Sequence, residues 1–392
     1  MKKWLDSLWE AAGGHPQGRG WRRLIFPLSL ALLCAPLGRA LFLWAGRAPE
    51  RVEAVYSGKI YPVLSHAVDR LTGWIPFSLA EWLLYGLIAG LLALFVVQGI
   101  RLFTRPHPIY RFCRVMSGLL AVSSVSYLLF YGLWGLQYQR LPLADILGYD
   151  TAQAADAETL EGLCRVLIER TNEAAARTAR QADGTLQSAG TPQQVLQGAV
   201  AAWSALGEQV PALASRPYGP PKAVAASVGL CYANITGIFI PYTMEANVNI
   251  MTPACLLPST AAHEAAHQRG FAREDEANYL SFLACRASGM PDYVYSGYLL
   301  ASIYAMNALY TVDREAYARL LPLFSAPVAA DLRENSAFWD QYEGPVADAS
   351  TASNDAFLRG NLQEAGVNSY GRMVDLLVAE YRVNPLMEAP QP

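Results

Sequence analysis

The sequence predicts an α-helical membrane anchor of three transmembrane helices, followed by a mainly α (α+β) domain with a small sheet. Three observations carry that prediction. Hydrophobic residues make up 53% of the 392 and charged residues 16%, against about 25% in a soluble chain. Three stretches approach the length a bilayer demands, about 20 largely apolar residues, and all lie within residues 1–139. Those residues carry 14 Lys/Arg against 6 Asp/Glu, a balance of +8, whereas residues 140–392 carry 16 against 27, a balance of −11. A basic, apolar front and an acidic back read as an anchor joined to a water-facing domain. The same figures exclude a disordered chain and argue against a purely soluble enzyme, and the acidic domain argues against nucleic acid as a partner.

The anchor is read over residues 1–139, with spans near 24–45, 82–100 and 115–136. The first is interrupted by Pro27, Pro36 and Arg39, and Arg39 must snorkel to an interface. A signal sequence is the alternative there, although its polar lead-in is long for one. The second contains Gly86 and Gly90, a GxxxG that lets helices approach closely or merely faces lipid. Lys2, Lys3, Arg19, Arg22 and Arg23 precede the first span, and Arg101, Arg105, Arg111 and Arg114 follow the second without an acid. The positive-inside rule puts both segments in the cytoplasm and the chain from about residue 140 outside. Residues 47–75 are read as a connecting loop.

The extracytoplasmic domain, 140–392, opens with helical patterns at about 156–182 and 192–206, each followed by polar or Pro/Gly-rich punctuation. Ile235–Met251 is rich in β-branched and aromatic residues and reads as one or two short strands. From Ser259 the chain is helical almost to its end. The apolar run Val294–Val312 has the length of a fourth span, but its serines, asparagine and four tyrosines favour a core helix. The six cysteines show no metal-binding spacing; the last four, Cys164, Cys231, Cys255 and Cys285, fall in the outer domain and either pair or remain free thiols.

The chemistry concentrates at His263-Glu264-Ala265-Ala266-His267, an H-E-x-x-H on a helix that Ser259 can start and Gly270 can end. Spacing of i, i+4 sets both imidazoles on one face, where they can hold one Zn²⁺, with Glu264 able to reach a metal-activated water. The other histidines, His15, His66 and His107, lie in the anchor, and Arg273 stands where three-histidine zinc proteases place their third ligand. A carboxylate must therefore complete the set, giving a His₂Glu site with an open position. Glu274 is the assigned ligand and Glu276 the alternative. Asn278, four residues beyond Glu274, can reach a histidine N–H and fix its tautomer.

These residues resemble the gluzincin class of zinc metallopeptidases, whose motif is H-E-x-x-H followed by a glutamate with Asp or Asn four residues on. It falls here on His263, Glu264, His267, Glu274 and Asn278. More closely, the chain resembles an uncharacterised family of bacterial membrane proteins with the pattern H-E-x-A-H-Q-x-G-x-A-x-E-D-E-A-N, matched from His263 to Asn278. Further matching blocks are Pro76–Glu81, Trp134–Arg140, Tyr242–Asn249 and Ser369–Leu377. The short gap between His267 and Glu274 demands a tight turn at Gly270.

The resemblance implies a zincin-like domain and a membrane-anchored zinc metalloendopeptidase in which Glu264 is the general base. Tyr370 or Arg372 is the expected oxyanion donor, or both are structural. Gluzincins keep an edge strand that pairs with extended peptide, which points to Asn247 and Asn249; a central strand with nothing to bind is the alternative. The expected partners are a peptide or protein substrate and the lipid bilayer, in the plasma membrane as a multi-pass protein; nucleic acid and organic cofactors are not expected. Two rival readings share these residues: a non-catalytic scaffold with a structural zinc site, and a zinc amidase acting on the cell wall.

Overall fold

Three helices are long and apolar enough to cross a membrane: Arg23–Ala45, Leu79–Thr104 and Tyr110–Leu133. The structure, a computed structural model, describes residues 19–105, 108–153 and 155–388, so Lys2, Lys3, His15 and His107 lie outside the described residues. The first span belongs to α1 (Arg19–Ala45), which contains Pro27 and Pro36 and packs along α4 (Pro108–Leu133). One residue before Pro36, the α4 hydroxyl of Ser124 accepts from Ala35 N at 2.7 Å and donates to Ala31 O at 2.8 Å. The serine thus satisfies backbone groups of a proline-interrupted helix in an apolar setting. Gly86 and Gly90, on α3 (Leu79–Thr104), face open space. The third span ends before Trp134, because Gly135–Gln139 tightens into a buried 3₁₀ turn.

Residues 47–75, read from sequence as a loop, are largely helical. A short helix, Pro49–Arg51, passes into a π-helix, Val52–Ile60, and then into α2 (Tyr61–Thr72). The i→i−5 bond from Tyr61 N to Tyr56 O puts two tyrosines, five residues apart, on one buried face. That spacing matches neither a 3.6-residue nor a 2-residue period, which hid the element. With Phe42, Tyr131 and Trp134, these tyrosines form a cluster that also takes in Phe239, Met244 and Ala272 from the second half of the chain.

The larger core lies between residues 143 and 387. Its main helices are α5 (Ala157–Ala175), α6 (Pro192–Gln209), α7 (Leu257–Gln268), α8 (Glu274–Ala287), α9 (Pro291–Val312), α10 (Ala326–Asp340), α11 (Pro345–Gly360) and α12 (Met373–Val383). Asp156 caps α5, and Thr191 with Gln194 forms a capping box on α6. Helix α5 stops seven residues short of the sequence expectation, in a turn closed by the Arg180–Leu186 bridge. Helix α9 is the core helix, not a span: Tyr295, Ala301, Ala305 and Leu309 on it are wholly buried.

The sheet has the order β1-β3-β2, from β1 (Lys222–Ala223), β2 (Gly237–Ile240) and β3 (Glu245–Val248). Strand β3 is central, parallel to β1 (Lys222 opposite Asn247) and antiparallel to β2 (Gly237 opposite Val248). It continues through Asn249 towards α7, the H-E-x-x-H helix, so the sheet fixes where that helix begins.

Two carboxylates tie the sheet region to α3. Glu245 of β3, 2% exposed, accepts from Leu79 N at 3.2 Å and Ala80 N at 2.8 Å, the unpaired donors at the start of α3. Glu81 accepts in return from Ala225 N and Ala226 N, each at 2.8 Å. Glu245→Ala should therefore destabilise the full-length protein by about 1–3 kcal/mol through two orphaned N–H groups, read as a lowered thermal midpoint in detergent. Glu245→Gln, which keeps one acceptor, should recover part of the loss.

Candidate functional site

Helix α7 runs from Leu257 to Gln268, one residue upstream of Pro258 rather than capped by Ser259. Ser259 lies inside its first turn and donates its hydroxyl to Leu256 O at 2.9 Å. The helix places His263 and His267 on one face, their Nε2 atoms 3.1 Å apart. After the turn, α8 begins at Glu274 and aims that carboxylate back at both rings. Glu274 Oε2 stands 3.2 Å from His263 Nε2 and 3.4 Å from His267 Nε2. Three ligand atoms from two helices thus converge, and His263, His267 and Glu274 form a group with the geometry to hold a metal ion.

The turn that makes this possible is tight and buried. Gly270 adopts φ +85°, a conformation costly for any residue with a Cβ. A Cβ there would also lie 2.6 Å from Gln137 Nε2. The carbonyls around the turn are satisfied from the membrane-proximal segment. Trp134 Nε1 donates to His267 O at 3.2 Å, Tyr61 to Gln268 O at 2.8 Å, and Arg140 Nη1 to Gly270 O at 3.0 Å. Arg140 is itself held by Glu53 through two bonds of 2.7 and 2.9 Å.

Orientation of the ligands follows from this turn. His267 Nδ1 lies 2.7 Å from Phe271 O and donates to it, which fixes the ring and directs Nε2 at Glu274 and His263. The backbone therefore does what sequence assigned to Asn278. Asn278 instead donates to Tyr304 Oη at 3.1 Å and Tyr370 O at 3.3 Å, bracing the walls of the site.

Burial alone would lower the His267 pKa, but the Glu274 carboxylate beside it prevails and raises it to about 9. Burial pushes Glu274 up, yet His267 and His263 hold it well below the usual carboxylate range. Glu264 is 3% exposed, and its Oε2 has no hydrogen-bond partner among the described residues. Burial pushes its carboxyl up to about 7. Its other oxygen lies against β2, where a Cβ on Gly237 would come within 2.4 Å. Glycine inside a strand pattern marks such a close approach, a signal present in the sequence and not used there.

The remaining acids are committed elsewhere. Glu276 accepts from Leu143 N at 2.8 Å and Arg273 Nη1 at 2.7 Å, so it serves the backbone, and Glu274 faces the histidines. A second group, Cys255, Asp331 and Glu334, also lies close together. Asp331 there is saturated by Leu186 N, Tyr295 Oη and Arg180, while burial pushes the Cys255 thiol well above its ordinary value. Two of its three members are thus committed, and only Glu334 is left.

Other sequence assignments change. Tyr370 stands beside the cluster, its ring 6.5 Å from that of His263 and nearly parallel, while its hydroxyl accepts from Asn354 Nδ2 at 3.4 Å. Arg372 does not join it; its side chain is 65% exposed and pairs with Asp375. Asn247 and Asn249 are 2% and 0% exposed on or beside the central strand, and both side chains bond neighbouring carbonyls. The edge strand on that side is β2. Sequence reading also missed Tyr304, which a helical period on α9 leaves indistinguishable from core.

These features define a chain with three candidate membrane spans and an H-E-x-x-H helix packed against a three-stranded sheet. It belongs to the family described as Protein of unknown function (DUF3810), which matches residues 56–378 and so takes in the second half of the π-helix, two of the candidate spans and the whole cluster. No curated protein and no solved structure matches the chain.

The turn generates a direct test. Gly270→Ala should cost about 1–2 kcal/mol of backbone strain before any clash, lowering the thermal midpoint by several degrees. Gly229→Ala, at a helical glycine with open space around it, should change it little.

Proposed function

We propose that the chain is a membrane-anchored, zinc-dependent metallopeptidase of zincin-like, gluzincin type, its catalytic domain on the extracytoplasmic side. The observation that carries this reading is Glu264, a buried carboxylate with one oxygen unpartnered beside a converged His₂Glu group. An unpaired buried acid costs stability, and a purely structural metal site has no use for it.

The residues fit zinc. Two imidazole nitrogens and one carboxylate oxygen are the donor set of a catalytic site with an open fourth position. Glu274 Oε2, buried and turned to the two imidazoles with no other partner, suits the role of a ligand atom. Glu276 and Glu245, the acids a closed four-ligand site would need, each accept backbone N–H bonds and stand outside the His263–His267–Glu274 group. That occupancy favours catalysis over the scaffold reading.

When bound, zinc supplies a Lewis acid that polarises a carbonyl and acidifies water. His267, fixed by Phe271 O, and His263 would hold it with Glu274. Glu264 takes a proton from the attacking water and delivers it to the leaving amine as the C–N bond breaks, so water is added across that bond. Gly237 keeps β2 close above Glu264. The outer edge of β2 has no strand partner among the described residues, and an extended peptide pairing there would lie across the carboxylate. Tyr370, beside His263, is the proposed donor to the oxyanion. A cell-wall amidase would use the same groups, and the free strand edge favours a peptide.

Full-length protein in detergent should bind about one zinc per chain, and Glu274→Ala should weaken that binding at least about tenfold. Retention of zinc by Glu274→Ala would overturn the ligand assignment. Glu264→Gln should keep the zinc and the thermal midpoint while cleavage of a mixed peptide library falls by about 10²–10⁴. Unchanged cleavage in that variant would remove Glu264 from the chemistry.

A further inference from the structure

Between the last turns of α4 and helix α11 lies a groove of about 440 Å³. One wall, Ser123 to Tyr131, belongs to a candidate span, so with that span in a bilayer the groove would border hydrocarbon. Phe130 and Phe357 meet edge to face on its wall, with ring centroids 6.0 Å apart. Its other end is polar. There the hydroxyls of Tyr127 and Tyr131 are 3.3 Å apart, and Tyr131 donates to Asn361 Oδ1 at 3.3 Å.

Arg39 of α1 reaches this polar end. Its Nη1 donates to Gly360 O at 3.0 Å, and its guanidinium stands 5.1 Å from the Phe42 ring centroid. Among the described residues Arg39 forms no ion pair, although it sits in an otherwise apolar span. A guanidinium there calls for an anion, and its planar fork suits a phosphate. A helix is about 10–12 Å across with its side chains, too broad for a groove of this volume, whereas an acyl chain is slender.

We infer that this groove seats one anionic phospholipid, its phosphate on Arg39 and an acyl chain along the surface of the Phe130–Phe357 pair. The seat adjoins the candidate site. Three residues beyond Gly360, Gln363 Oε1 accepts from Glu274 N at 3.3 Å, and Phe130 touches Trp134, which holds His267 O. The inference does not depend on the peptidase reading, because it concerns binding alone.

The test uses full-length protein from nanodiscs of phosphatidylcholine with a minor share of phosphatidylglycerol, released into detergent and examined by native mass spectrometry. Wild type should retain about one phosphatidylglycerol and no matching phosphatidylcholine. Arg39→Gln should weaken retention at least about tenfold, and Arg39→Lys should restore part of it. Ala356→Trp, at an exposed position on the groove wall, should expel the lipid with the thermal midpoint preserved, and it decides the matter where Arg39→Gln does not fold. Equal retention of both lipids by wild type would overturn the inference. So would unchanged retention in Ala356→Trp, or a co-purifying polypeptide in place of the lipid.

Discussion

A helix–turn–helix connection buried inside a protein leaves carbonyls that water cannot reach, and each needs a donor. Between His267 and Glu274 that requirement governs the rest of the structure. Trp134, Tyr61 and Arg140 supply the donors, and all three come from the part of the chain between and just after the candidate spans. Trp134 follows the third span directly, and Tyr61 is brought into place by the π-helix before it. The His263–His267–Glu274 cluster is therefore seated at the end of a candidate span, and the elements that look like an anchor help to build it.

The second organising principle is the use of buried acids. Glu245, Glu81 and Glu276 each accept backbone N–H bonds and hold elements together. Glu274 turns to two imidazoles, and Glu264 keeps an unpartnered oxygen beside β2. The same side-chain chemistry thus has structural and candidate chemical roles, separated by what each oxygen touches. Hydrogen bonding to backbone N–H favours the charged form, whereas burial without it favours the neutral one, and Glu264 follows the second rule.

Much of this arrangement is legible in the sequence because its signals are local. Twenty-residue apolar runs mark the spans, and the i, i+4 spacing of His263 and His267 with Gly270 marks the helix and its turn. Glu274 is legible because Arg273 and the scarcity of histidine exclude other ligands. The rest depends on partners distant in sequence. Asn278 was assigned to a histidine, but a backbone carbonyl four residues beyond His267 is nearer. Strand order decides that β2, not β3, has the open edge, and a run of short strands carries no record of order. Arg372 carries no sequence signal separating a surface ion pair from an oxyanion donor. The helix through residues 52–72 was hidden by the irregular period of its π segment.

Zinc-edge X-ray absorption on the zinc-loaded, full-length protein tests the His₂Glu centre most directly. The spectrum should fit two imidazole nitrogens near ~2.0–2.1 Å and a carboxylate oxygen near ~2.0–2.2 Å, with no sulfur. Zinc held through a sulfur at about 2.3 Å, or a folded chain that binds no zinc, would contradict it.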